Sequence, residues 1–313
     1  MITLHDVRKA RRVIEPITKV TPILHSEQLS HLCQNTILLK SEHLQKTGAF
    51  KIRGATNRVK QAVESGANHV TAASSGNHGQ AVAYIANKLG IPATIVVPEN
   101  ITECKINAIK SYNGIVIKYG TTSAERIPKA KEIAQKENGD FIPPYDDPYI
   151  MSGQGTIGLE ILEQVENPDI IVVPVGGGGL ISGILTAVKE TKPSVKIIGV
   201  EPKVANDTYL SLKNGKITSI QKAPTIADGL RTNQPGDLTF PVLQKYLDDL
   251  VLVSDDEIYQ AIYFVLERMK QLIEPSSATV IAAAMFNHLG VKNKKIVTVI
   301  SGGNVDIGDW LLQ

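Results

Sequence analysis

The chain has 313 residues, a formal net charge of +2 and two cysteines, Cys33 and Cys104. That length can bury a sizeable core in one large or two medium domains. The near-balanced charge offers no basic field to nucleic acid or an anionic membrane, and two cysteines cannot build a disulfide framework, which fits a reducing cytoplasm.

In chain order, Met1 to Arg12 is amphipathic and basic and lacks the apolar core of a signal peptide. An apolar run at residues 36–40 predicts a first strand. It leads to Gly48-Ala49-Phe50-Lys51-Ile52-Arg53-Gly54-Ala55. A lysine among apolar residues is ordinarily a surface residue with its stem laid along the protein. Held in an apolar pocket, it has a lowered pKa and becomes a nucleophile for Schiff bases.

After a break near residues 64–68, a strand at 69–73 runs into Ser74-Ser75-Gly76-Asn77-His78-Gly79-Gln80 and a helix over 80–89. Helix capping explains one serine or asparagine here, not the whole polar and glycine-bearing set. Free N–H groups at a helix N-terminus make a carboxylate site. His78 alone reads as structural, since the sequence has no HExxH and no Cys/His cluster. Strands at 93–97 and 115–118 and a helix over 123–138 follow, and Pro143-Pro144-Tyr145-Asp146-Asp147 ends this block.

Residues 170–188 carry no charge over 19 positions, near the length of a membrane span. Pro174 and four consecutive glycines divide the stretch into a strand, a turn and a helix over 180–189. In Val175-Gly176-Gly177-Gly178-Gly179-Leu180 the glycines permit close backbone approach, and successive N–H groups can wrap a phosphate. There is no GxxxxGK[ST], so this is not a P-loop. Glu201 ends the next strand, where a dinucleotide fold would place its ribose-binding acid. No G-x-G-x-x-G register fits, however, and a single phosphate is the better reading. A strand at 196–200, a helix over 255–272 and a strand at 295–300 lead to Ser301-Gly302-Gly303-Asn304. That segment reads as a strand-ending turn, or as a neutral hydroxyl in the crevice where α/β sheets bind ligands.

This βαβ alternation predicts an α/β protein with parallel or mixed sheets covered by helices. The two breaks suggest a large domain of residues 1–68 and 147–313 and a small inserted α/β domain of residues 69–146. No solenoid repeat or low-complexity tract is present.

Taken with Gln45-Lys46-Thr47, Gly153-Gln154-Gly155-Thr156-Ile157-Gly158, Ala227-Asp228-Gly229, Glu267-Arg268-Met269-Lys270, Ile273-Glu274-Pro275 and Val305-Asp306, these segments carry a resemblance over nearly the whole chain. The sequence resembles the fold-type II pyridoxal 5′-phosphate (PLP) enzymes, which are tryptophan synthase β-like, and within them the serine racemase and threonine dehydratase branch. The resemblance implies a cofactor in the cleft between two domains. Lys51 would carry its aldehyde as a Schiff base, with Phe50 and Gly229 flanking the ring. Gly176, Gly177, Gly178 and Gly179 would bind the phosphate, Asn77 the ring hydroxyl and Ser301 the pyridine nitrogen. Ser74, Ser75, Asn77 and His78, with Arg126, would hold the substrate carboxylate. Glu201, Ala205 and Asp207 match a divalent-cation site, with two carboxylates and a backbone carbonyl for Mg²⁺ or Ca²⁺. Without the resemblance, such an acidic pair reads as solvated surface.

The implied activity is elimination of water from a small hydroxy amino acid such as L-serine or L-threonine, giving a 2-keto acid and ammonia. Lys51 would act as the base on the α-proton. A hydroxyl rather than a carboxylate at the pyridine nitrogen favours prompt loss of the β-hydroxyl. Ser75, where many dehydratases have alanine, could exchange the α-proton on the opposite face and implies racemase activity as well. Tyr145 follows the dehydratase pattern, where the racemases have asparagine. The chain resembles the short forms without a regulatory domain, and the family suggests a cytoplasmic homodimer with no nucleic-acid or membrane partner. One alternative is a 3-hydroxyaspartate dehydratase, which needs a further cation, and none beyond Arg126 is assignable. Others are cysteine-synthase-like replacement chemistry and a non-catalytic amino-acid-binding regulatory module, against which Lys51 argues.

Overall fold

The computed structural model describes residues 1–306. The chain opens with α1 (Leu4–Ile14), started by a Thr3–Asp6 capping box and held by buried Val7, Ala10 and Ile14. β1 (Ile23–His25), α2 (Glu27–Cys33), β2 (Thr36–Ser41) and α3 (Lys51–Glu64) follow. A second run comprises β3 (Val70–Ala73), α4 (Asn77–Leu89), β4 (Ala93–Val97), α5 (Glu103–Lys110), β5 (Ile115–Lys118), α6 (Ser123–Lys136) and β6 (Asp140–Phe141). Next come α7 (Pro148–Gln164), β7 (Ile170–Pro174), α8 (Gly179–Lys189), β8 (Lys196–Pro202), α9 (Asp207–Asn214) and α10 (Phe240–Tyr246). The last elements are β9 (Asp249–Val253), α11 (Asp255–Phe264), α12 (Pro275–Met285) and β10 (Lys295–Ile300).

The strands form two sheets. One has the order β1-β2-β10-β7-β8-β9 and the other β5-β4-β3-β6. All pairings are parallel except β1 with β2. β3, β4 and β7 are buried at every residue, which explains their unbroken apolar runs: helices cover both faces. One core packs α11 and α12 on the larger sheet, a second packs α7 and α8 on its other face, and a third lies under the smaller sheet. Ile52, Ala55 and Val59 of α3 belong to that third core. The segment before α3 pairs instead with residues after β10, so Lys51 stands where the two sheets meet.

The uncharged stretch forms β7, a turn and α8, as its proline and glycines predict. Among the described residues no helix is long and apolar enough to cross a membrane. The helix expected over 255–272 departs from expectation. α11 stops at Phe264, continues as one π-helical turn over Val265–Met269, and ends where Lys270 adopts φ 56°. A left-handed residue breaks the helical hydrogen-bond ladder at that point.

Candidate active site

The segments singled out above leave the C-terminal ends of their strands: Ser74 to Asn77 after β3, the glycines after β7 and Ser301 after β10. This is the crevice where open α/β sheets bind ligands.

Lys51 is the first residue of α3, behind an N-cap, Phe50, that makes no side-chain cap hydrogen bond. Its Nζ donates to the Pro144 carbonyl at 2.6 Å and lies 5.2 Å from the Phe50 ring centroid. Burial of the ammonium pushes its pKa down to about 8, with the charge of Glu274 opposing. A cation at a helix N-terminus is disfavoured in the same direction. The preceding loop docks on the strand that delivers Ser301: Phe50 N–H donates to the Ser301 carbonyl at 2.9 Å, and Ala49 bridges Gly302. The Ser301 hydroxyl meets that of Ser277 at 3.0 Å.

The glycine turn is glycine for identifiable reasons. Gly178 has φ +91° and precedes α8 with no side-chain cap, leaving backbone N–H groups for an anion. A Cβ on Gly177 would lie 2.5 Å from Tyr145 ring atoms, and one on Gly179 would lie 2.8 Å from the Tyr145 Cβ. Gly176 faces the Gly229 carbonyl, 3.3 Å from where its Cβ would sit. Tyr145 follows directly on Pro144, the Lys51 partner, so the lysine and the glycine turn line one cleft. A reactive amine, an uncapped turn that admits no side chains and a neutral hydroxyl fit a phosphate-bearing carbonyl cofactor.

The α4 N-terminus completes the wall. Its N-cap is Gly76 and no side chain caps it, so Ser74 and Ser75 are not spent on capping. Asn77 donates to both oxygens of Glu274 at 3.0 and 2.9 Å and accepts from Asn304 at 2.8 Å. His78 Nε2 donates to the Ile142 carbonyl at 2.9 Å, leaving Nδ1 buried without a partner. Burial, then the Lys51 charge, push its pKa down to about 3, so it stays neutral. Arg126 is buried; its Nη2 donates to the Ser123 hydroxyl at 3.2 Å, and its Nε and Nη1 have no partner among the described residues, an arrangement that calls for an anion. Gly229 N–H donates to the Ser276 hydroxyl at 3.0 Å.

Glu274, in Ile273-Glu274-Pro275, shows its part only in the folded chain. An acid just before Pro275 looks like a helix cap, yet it makes no cap hydrogen bond. It lies instead against Asn77, and a Cβ on Gly302 would lie 2.8 Å from its Oε1. Burial pushes its pKa up to about 7.

Glu201 is the penultimate residue of β8 and Asp207 opens α9, both fully buried, with Ala205 between them. Glu201 accepts from the backbone N–H of Thr208 and Tyr209 at 3.1 and 2.9 Å. Asp207 accepts from the Thr232 hydroxyl, and the Thr208 hydroxyl is buried without a partner. Burial and the Asp207 charge push Glu201 up to about 8, and burial pushes Asp207 up to about 7. Among the described residues, no group of three or more His, Cys, Asp or Glu side chains is placed to hold a metal. A cation here would take two carboxylates and a carbonyl.

The pattern of the family described as "Pyridoxal-phosphate dependent enzyme" matches residues 14–302, and the chain belongs to this family. It is 44% identical over 308 residues to an L-threonine ammonia-lyase of Thermotoga maritima, covering 98% of this chain and 77% of that one. It is 40% identical over 306 residues to an L-threo-3-hydroxyaspartate ammonia-lyase of Saccharomyces cerevisiae, covering 97% and 94%. Among solved structures, maize serine racemase superposes with a TM-score of 0.96 at 38% identity, covering 99% of this chain and 96% of that one.

Proposed function

We propose that this protein dehydrates a small hydroxy amino acid, L-serine or L-threonine, to a 2-keto acid and ammonia, and racemises serine alongside. The observation that carries the reading is the Lys51 amine, lowered to about 8 and bonded to the Pro144 carbonyl, with Tyr145 next in the chain packed on the uncapped glycine turn.

PLP, when bound, supplies the electron sink for loss of the α-proton. Lys51 would hold its aldehyde and would be the base for that proton; its lowered pKa keeps the free amine accessible near neutrality. Gly176 to Gly179 would hold the phosphate, Phe50 and Gly229 would flank the ring, and Asn77 would meet the ring hydroxyl. Ser301 would meet the pyridine nitrogen, and its hydroxyl lies 3.0 Å from that of Ser277. Neither is a carboxylate that would hold a proton there. The α4 N-terminus, from Ser74 to His78, and the Nε and Nη1 groups of Arg126 would bind the substrate carboxylate. Ser75 serves the opposite face of the α-carbon.

Glu201, Asp207 and the Ala205 carbonyl would hold Mg²⁺ or Ca²⁺, a reading supported by the two buried acids and by the Asp207 charge that raises Glu201. We assign residues 69–146 to a small inserted domain and the remainder to a large one, around the two sheets. A cytoplasmic homodimer goes with this reading by resemblance alone. A second reading, 3-hydroxyaspartate as substrate, is favoured by the yeast relative and requires a cation for the extra carboxylate.

Assays of keto-acid release from L-serine, L-threonine and 3-hydroxyaspartate, with D-serine measured in parallel, decide among these. Lys51→Ala should abolish every activity, and Ser75→Ala should lower racemisation far more than dehydration. No keto acid from any of the three substrates would sink the reading; pyruvate without D-serine removes its racemase part.

A further inference from the structure

The loop that presents Lys51 is closed at its stem by buried charge. Its ends are Glu42 and Arg53, and Arg53 Nε and Nη2 each meet a Glu42 carboxylate oxygen at 2.8 Å. The other side of the guanidinium faces α7, with Nη1 and Nη2 donating to Glu160 at 2.6 and 2.8 Å. Lys40 Nζ donates to Glu160 at 2.6 Å, to Gln164 at 2.8 Å and to the Thr21 carbonyl at 2.8 Å. The Thr21 hydroxyl donates to Glu42. Thr156 and the Lys19 carbonyl take further guanidinium hydrogens, so every nitrogen of Arg53 is used. Two cations balance two anions. Lys40, Glu42 and Arg53 are 0% exposed and Glu160 5%.

The tip of the same loop is strained. Thr47 has φ 61°, which a β-branched residue rarely adopts, and its hydroxyl is buried without a partner. Such strain persists only where the surroundings over-determine it. Three bonds hold the tip from the side of Ser301: Asn304 Nδ2 to the Thr47 carbonyl at 2.7 Å, Gly303 N–H to the Gly48 carbonyl at 2.9 Å and Phe50 N–H to the Ser301 carbonyl at 2.9 Å. A buried ion cluster is weak evidence for stability, because an apolar replacement often does as well. Its place at the stem of this one loop gives it another task.

We propose that Glu42, Arg53, Glu160 and Lys40 are a positioning clamp for Lys51: by closing the stem of the 42–53 loop they fix where the Lys51 amine meets a carbonyl. The proposal rests on Lys51 being the cofactor lysine. None of the four touches the reacting atoms; they act through the loop.

The test uses the full chain without cofactor and free pyridoxal as probe, the adduct being followed by visible absorption. Borohydride reduction and peptide mapping assign it to Lys51, and melting temperature is recorded for each variant. Arg53→Lys keeps the charge and loses the fork; Glu42→Gln keeps the shape and loses the charge. Each should slow capture at Lys51 at least about tenfold, since small misplacement of a reacting group is costly. Ile157→Val, a core change on α7, should lower the melting temperature and leave capture within about twofold of the parent protein. If neither clamp variant folds, Thr21→Val decides, with about threefold slowing expected from the lost bond to Glu42. Folded clamp variants that capture pyridoxal as fast as the Ile157→Val protein overturn the clamp alone, as does an unchanged Thr21→Val rate where only that variant folds. No adduct at Lys51 in the parent protein overturns the clamp and the reading beneath it together.

Discussion

Arg53, Lys40, Glu42 and Glu160 are as withdrawn from water as Glu201 and Asp207, yet only the first group carries its own counter-charge. Burial would raise Glu42, but the charge and hydrogen bonds of Arg53, with the Lys40 charge and the Thr21 hydroxyl, together hold the carboxyl below the usual carboxylate range. Glu201 has no such partner; burial and its acidic neighbour drive it up to about 8. Desolvation of a charge is offset only by a well-placed opposite charge and further hydrogen bonds. A buried cluster that closes on itself is scaffold. One left open is incomplete without something from outside.

The largest effect should come from opening the closed cluster. Arg53→Met leaves two buried glutamates facing Lys40 alone and should cost about 3–5 kcal/mol in denaturant unfolding. A loss under about 1 kcal/mol would mean that the cluster is not desolvated as its burial implies. Completing the open pair comes next. Mg²⁺ or Ca²⁺ at a hundredfold excess over its dissociation constant should stabilise the fold by about 2.7 kcal/mol, reversed by chelator. A melting temperature indifferent to both ion and chelator would remove the cation from the site. The third test neutralises the pair without an ion. With Asp207→Asn the repulsion with Glu201 disappears, so in chelator the variant should match or exceed the parent protein by up to about 1 kcal/mol, and its response to the ion should vanish. A variant less stable in chelator would show that the Thr232 hydrogen bond outweighs the repulsion.

The difference between the two clusters also shows what the sequence could and could not reveal. The lysine segment, the Ser74 to Gln80 turn, the glycine turn and the Ser301 segment are each contiguous strand-to-helix or strand-ending signals. Their strands fall within a residue or two of expectation, because burial on both faces leaves unbroken apolar runs. The closed cluster left no local trace. Arg53 reads as an ordinary helix arginine, and its partner Glu160 lies 107 residues away. Glu274 meets Asn77 across 197 residues for the same reason, and beside a proline it imitates a cap. Gly177 and Gly179 carry a second meaning, since they also make room for Tyr145, which no spacing rule announces. β6, at two residues, is too short to show a period.

Glu274 is the intermediate case, and it carries the smallest effect. It is a buried acid pushed up to about 7, and the cation it senses, Lys51, acts on it by charge, with no hydrogen bond or ion pair between them among the described residues. The influence runs both ways: Glu274 raises the Lys51 pKa while burial lowers it to about 8. Capture of pyridoxal by the cofactor-free protein requires the free amine, so its rate should rise with pH through about 8 rather than through the ordinary lysine value of about 10.4. Glu274→Gln removes the raising influence and leaves the burial, so the midpoint should move downward, by about half a unit given the partial screening between unbonded charges. The plateau at high pH should stay where it was, because the amine there is already free in both proteins. An upward shift would mean that Glu274 does not raise the Lys51 pKa through its negative charge. An unmoved midpoint would make Glu274 a self-contained member of the Asn77 hydrogen-bond network, and so a closed cluster after all.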